Sequence, residues 1–97
     1  MPENKTKYSD KDKRDVRIWC ADSITALREK RGISRGQLAD MVGVHEISMR
    51  RYETGDVYPP LHILCNIVRV LNTKDPLTID EFKAILVVNY ELPKSEK

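Results

Sequence analysis

The sequence lacks the features that define several large classes of protein. It has no apolar run approaching the roughly 18 residues of a membrane-spanning helix, and its start has no apolar core of a secretion signal. Its two histidines and two cysteines do not form a cluster at metal-ligand spacing. We therefore expect a cytoplasmic protein that has no metal and no cofactor.

Catalytic patterns are also missing. The chain shows no Ser/His/Asp or Cys/His arrangement, no paired-carboxylate motif and no glycine-rich phosphate loop, so we do not expect an enzyme. Cys20 and Cys65 each lie within an apolar periodic stretch. Because a cytoplasmic chain keeps its thiols reduced, we expect both to be free thiols in the core.

The composition is that of one small globular domain. The chain has 97 residues, of which 40% are hydrophobic and 33% charged, with a net charge of +2 and a pI of about 8.6. A nucleic-acid-binding domain gathers its charge on one face, so this mild excess neither favours nor excludes such a partner.

Polar and charged residues without periodicity open the chain. They predict a flexible tail over residues 1–13, although Ser9 would suit the N-cap of a helix that begins earlier. The domain itself is expected over 14–92, followed by a disordered tail over 93–97. Its first helix runs from Asp15 to about Arg31, where Gly32 suits a left-handed terminus.

Two short helices follow, over about 35–42 and 46–54. Ser34 is a good N-cap for the first, and Gly43 allows a tight turn between them. The helix-turn-helix therefore covers 35–54, since helices so joined pack against each other. With Met49 and Tyr52 turned inward, the helical period turns five residues of the second helix outward: Glu46, Ile47, Arg50, Arg51 and Thr54.

The last two elements follow the loop that contains Pro60. The fourth helix has an apolar stripe, and a Thr78–Glu81 capping box opens a fifth element. Residues 84–92 suit either the end of a helix or a short C-terminal strand, because they are β-branched and aromatic. The fold is therefore predicted to be all-α with five helices. Its segment 77–92 exposes enough apolar surface to dimerise.

From Ile24 to Leu71 the chain resembles the lambda-repressor-like, Cro/CI-type helix-turn-helix family, also called the XRE family. The likeness rests on "LREKRGIS", "QLADMVGV" and "RRYETG", the last followed by prolines and "L". Members of the family are compact five-helix domains, usually dimeric regulators of transcription, whose third helix enters the major groove of DNA. The resemblance thus implies double-stranded DNA as partner and a homodimer as the working form.

The resemblance also implies roles for particular residues. The base-reading positions would be Glu46, Ile47 and Arg51, with Arg50 beside them. Contacts to phosphate would come from Ser34, Arg35, His45, Thr54 and Tyr58. Arg28 and Glu53 would form a partly buried, structural salt bridge.

Several of these residues have a second interpretation. Glu46 either accepts from cytosine or only stabilises the helix dipole. Ile47 either touches a thymine methyl group or belongs to a protein interface. His45 replaces the usual Ser or Thr at an N-cap, so it either touches phosphate or is only a weak cap. Arg50 and Arg51 could be solvated surface charges.

The loop after the third helix departs from the family pattern. It reads "TGDVYPP", with Asp56 in place of the lysines or arginines that often bind phosphate there. We therefore keep two hypotheses, a sequence-specific DNA-binding repressor and an antitoxin-like or anti-repressor-like module that binds a protein through the same fold.

Overall fold

A computed structural model describes residues 9–88 of the chain. Within that part there are five helices and no strand: α1 (Asp10–Lys30), α2 (Arg35–Val42), α3 (Glu46–Thr54), α4 (Leu61–Lys74) and α5 (Ile79–Ile85). The prediction of an all-α, five-helix fold is confirmed. α1 packs against α3 and α5, and α2 packs against α3 and α4. The first two helices therefore support the other three.

Helix α1 begins earlier than the sequence pattern predicted. Ser9 is its N-cap and forms a capping box with Asp12, and the Lys11 ammonium lies 2.8 Å from the Asp15 carboxylate one turn on. These local bonds make residues 10–13 helical, although they were predicted to belong to a tail. Hydrophobic periodicity missed them because nothing in this turn packs into the core.

The helix-turn-helix has the predicted bounds, 35–42 and 46–54. Ser34 accepts a hydrogen bond from the N–H of Gln37, and Gly43 ends α2 at a φ of +93°. The N–H groups of Gly43 and Val44 both donate to the Ala39 carbonyl oxygen, at 2.8 and 3.0 Å. The glycine therefore closes α2 within one turn and lets α3 start at once.

Helix α4 buries only part of its apolar surface. Ile67 and Leu71 lie in the core, and Leu64 packs partly buried against it. Leu61 and Cys65 are exposed. The expectation of a buried Cys65 is therefore wrong. Apolar side chains cover more than one face of α4, so periodicity alone could not choose the buried one.

The thiol of Cys20 does lie in the core. Burial raises its pKa to about 11, so Cys20 is a neutral thiol near pH 7. Both cysteines are free.

Helix α5 begins at the predicted capping box, in which Thr78 accepts from the N–H of Glu81 and the Glu81 carboxylate accepts from the N–H of Thr78. The helix ends at Ile85, and residues 86–88 form a turn. The strand alternative is wrong as far as Val88, and its remainder, 89–92, lies outside the described residues. Ile85 is buried against α1, and this contact determines which side of α5 faces the core.

One buried arginine ties the end of α1 to the end of α4. The Arg31 side chain is 1% exposed, and it donates to the carbonyl oxygens of Leu27, Leu71 and Asp75. The last carbonyls of a helix have no partner within it, so Arg31 supplies donors at the end of α4. The sequence analysis had given Arg31 no role beyond marking the end of α1.

A second tie joins α1 to α5 at the surface. Lys30 Nζ lies 2.7 Å from the Glu81 carboxylate. The hydrogen bond from Lys30, with that from the Thr78 backbone, lowers the pKa of Glu81.

All five helices contribute side chains to the core. Within residues 9–88, no helix is long and apolar enough to cross a membrane. The buried apolar side chains are those of Cys20, Ala21, Ile24, Leu27, Ile33, Leu38, Ala39, Val42, Met49, Ile67, Leu71 and Ile85.

Gly55 offers a direct test of how closely α3 approaches α1. Its φ is +83°, and a Cβ there would lie 2.9 Å from Ile18 Cγ1 and 3.2 Å from Ile18 Cα. Gly32 has a φ of +68° with nothing within 4 Å of such a Cβ.

Gly32→Ala should therefore lower the free energy of unfolding only through backbone strain, by about 1 kcal/mol. Gly55→Ala should cost about 1–3 kcal/mol more, since α1 must move.

Urea unfolding of the two variants measures this difference. Equal losses of unfolding free energy would show that the α1–α3 contact is looser than the structure has it.

Candidate nucleic-acid interface

The outer face of α3 carries the residues expected to read bases. Glu46, Ile47, Arg50 and Arg51 are all exposed, and Ile47 retains 65% of its accessible surface. Met49, on the opposite side of the helix, is fully buried. The helix therefore presents two arginines, one carboxylate and one branched apolar side chain to whatever lies outside it.

Two buried side chains fix the position of α3, Met49 on its inner face and Glu53 near its C-terminal end. Glu53 Oε2 lies 2.8 Å from Arg28 Nε, and Glu53 Oε1 lies 3.0 Å from Arg28 Nη2. The Glu53 side chain is fully buried and that of Arg28 is 9% exposed. The structure thus brings together the two residues expected to pair, in a bidentate geometry that fixes both side chains.

Arg35 joins the same cluster, which the sequence analysis did not foresee. Its Nε donates to Glu53 Oε1 at 3.1 Å, while its side chain stays 31% exposed. Arg28 also donates to the Ile33 carbonyl oxygen at 2.8 Å, just before α2. One carboxylate therefore connects α1, the start of α2 and the end of α3. The second arginine could not be found from spacing, because 18 residues separate it from Glu53.

The N-terminal end of α2 faces the same side as the start of α3. The Ser34 hydroxyl and the Gln37 side chain satisfy each other's backbone N–H groups, at 3.0 and 2.8 Å. Within residues 9–88, the N–H groups of Arg35 and Gly36 have no acceptor. Two donors at the positive end of a helix suit a phosphate oxygen.

Gly36 and Glu46 lie side by side. A Cβ on Gly36 would come within 3.5 Å of Glu46 Oε1, so the carboxylate rests against the first turn of α2. The negative charge of the Glu46 carboxylate there interacts favourably with the positive, N-terminal ends of the α2 and α3 dipoles. This neighbour was missed by the sequence analysis, although a glycine inside a short helix was a signal of close approach.

The other predicted phosphate contacts lie at the edges of this face. His45 is the N-cap of α3 and makes no side-chain capping bond. The Thr54 hydroxyl donates to the Arg51 carbonyl oxygen at 3.3 Å, and Tyr58 is exposed. All three residues are exposed.

The comparison with protein families agrees with this geometry. A family model described as a helix-turn-helix domain matches residues 21–82, which is more than half of the chain. The chain belongs to this family. No curated protein and no solved structure matches it.

The match covers every helix of the helix-turn-helix domain except the first half of α1 and the end of α5. Helix-turn-helix domains bind DNA with the second helix of the motif in the major groove, and α3 is the second helix of the motif in this chain. Within the described residues, no cluster of three or more His, Cys, Asp or Glu side chains is arranged to hold a metal ion.

The buried cluster predicts a large difference between its two arginines. Arg28→Ala leaves the fully buried Glu53 carboxylate without its buried partner. The change should lower the free energy of unfolding by about 3–5 kcal/mol. Arg35→Ala removes a partly exposed partner while Arg28 remains, so it should cost about 1 kcal/mol or less.

Chemical denaturation of both variants at neutral pH measures the two losses. Comparable losses would mean that Glu53 depends on the partly exposed arginine as much as on the buried one.

Proposed function

We propose that this helix-turn-helix domain is a sequence-specific, double-stranded DNA-binding regulator of the Cro/CI type that represses transcription as a homodimer in the cytoplasm. It acts by occupying a promoter and not by chemistry. The observation that carries the proposal is the exposure of Glu46, Ile47, Arg50 and Arg51 on one rigidly held helix.

Arg51 is the side chain proposed to read guanine. A guanidinium matches the O6 and N7 acceptors of guanine with two parallel hydrogen bonds. No ion pair holds Arg51 among the described residues, so the fork is available to a base. Arg50 and Glu46 flank it, and the donors at the start of α2 would fix the register by binding phosphate.

The homodimer is proposed to form through α4 and α5. An open groove between these helices is lined by Leu61, Leu64, Cys65, Val68, Phe82 and Leu86. Leu61 is 74% exposed and Ile79, beside the groove, is 71% exposed. A two-fold interface of this kind buries the same patch on both copies. It would set two α3 helices about 34 Å apart, or at a multiple of that spacing, on a pseudo-palindromic site.

A second candidate function is that of a module that binds a protein partner through the same face. The exposure of Ile47 favours it, because an isolated branched side chain in the middle of an exposed face suits an apolar pocket in a partner. The balance of charges near α3 also fits a weaker electrostatic attraction to DNA.

Selection of binding sites from random duplex DNA tests the proposal, with the wild type and Arg51→Ala in parallel. We expect a two-fold symmetric motif, and we expect the variant to lose its preference at one position in each half-site. The loss corresponds to about 1–3 kcal/mol of discrimination. Lys74→Gln is the matched control, since it removes a charge at the far end of α4 and should return the wild-type motif.

A motif without two-fold symmetry would overturn the homodimer and leave the DNA-reading role in place. The absence of any motif at low salt would overturn the regulator and favour the protein-binding candidate. In that case Ile47→Asp should abolish capture of the partner.

A further inference from the structure

The first half of α1 lies outside the family match, which begins at residue 21. Residues 10–20 carry four basic and three acidic side chains, so their net charge suggests little affinity for DNA. The helical period, however, places Asp12 and Asp15 on the opposite side of α1 from Arg17.

Two contacts place this half of α1 at the end of α3. Arg17 Nε donates to the Gly55 carbonyl oxygen at 3.0 Å, and Gly55 directly follows the last residue of α3. Ile18 packs so closely on Gly55 that a Cβ there would lie 2.9 Å from its Cγ1. The N-terminal turns of α1 are therefore next to the helix that presents Arg50 and Arg51.

Two of the three acidic side chains have partners within α1 itself. The Asp12 carboxylate accepts from the N–H and the hydroxyl of Ser9, at 3.1 and 2.9 Å. The Asp15 carboxylate accepts from Lys11 at 2.8 Å. Asp10, in the first turn, lies about 20° from Arg17 and so lowers the net charge of that side of α1 to +2.

The remaining basic side chains share one face. At about 100° per residue, Arg14 lies roughly 60° from Arg17 and toward Ile18, and Lys13 lies roughly 40° from Arg17 on the other side. Arg14 and Lys13 are exposed and have no ion-pair partner within residues 9–88. This basic face of α1 (Lys13, Arg14 and Arg17) is turned to the side on which α3 ends.

The major groove has room for α3 and little more. It is about 12 Å wide, and a helix with its side chains is about 10–12 Å across. A segment that lies against the end of α3 therefore meets the phosphates at the groove edge. The loop after α3 carries Asp56 and no cation, so it does not neutralise them.

We propose that the basic face of α1 binds the DNA phosphate backbone beside each half-site, with Arg14 as its main contact, and so supplies the charge that the loop after α3 lacks. The inference rests on the proposed function, because it needs α3 to occupy the major groove.

Titration of duplex DNA against salt tests the proposal, using the selected site and an unrelated duplex with wild type, Arg14→Gln and Arg14→Glu. Loss of one phosphate contact should make the slope of log affinity against log salt shallower by about 0.9. It should weaken binding to both duplexes about fivefold at about 0.15 M salt. Arg14→Glu should weaken both further.

Lys83→Gln is the matched control, because it removes one exposed charge from α5, which packs on α1 and not on α2 or α3 among the main helix contacts. Within residues 9–88 the Arg14 side chain makes no hydrogen bond or ion pair, so its variants should unfold at the wild-type temperature, and this is checked by circular dichroism.

Three results would overturn the inference. If Arg14→Gln changes the slope no more than Lys83→Gln does, the basic face does not touch phosphate, and the proposed function stands on α3 alone. If the loss appears only with the selected duplex, Arg14 reads bases and not the backbone. If the wild type binds neither duplex at low salt, the proposed function and this inference fail together.

Discussion

A single buried carboxylate holds the binding face together. Glu53 receives two hydrogen bonds from Arg28 and one from Arg35, so α1, α2 and α3 converge on its two oxygens. A buried charge is costly unless its hydrogen-bonding capacity is filled, and here both oxygens are engaged. The orientation of α3 is thereby linked to the start of α2, where the donors that we propose to bind phosphate lie. One cluster therefore positions both parts of the proposed interface.

Two glycines also help to fix the position of α3. Gly43 lets α3 follow α2 without a longer loop, and Gly55 lets α3 end directly against the backbone of α1. Because the C-terminal end of α3 meets α1 so closely, the extra turns at the start of α1 become neighbours of the recognition helix. The early start of α1, set by Ser9, therefore supplies the residues that we propose to bind phosphate.

Much of the architecture could be predicted from local chemistry. The bounds of α2 and α3 followed from Ser34, Gly43 and Gly55, since capping and left-handed residues act over a few positions. Long-range packing was harder to foresee. The buried side of α4 depends on which neighbours cover it, so Cys65 was misplaced. The tie made by Arg31 and the pairing of Arg35 with Glu53 join residues far apart in sequence, and no periodicity carries that information.

We propose that DNA contacts the start of α2 and the outer face of α3. Titrating the ¹⁵N-labelled protein with its selected duplex and following the backbone amide shifts tests it most directly. The account predicts the largest changes at Arg35, Gly36 and residues 46–51, with the amides of Arg35 and Gly36 moving as expected for new hydrogen bonds to phosphate. Amides of α2 and α3 that stay unchanged while the duplex binds would contradict it.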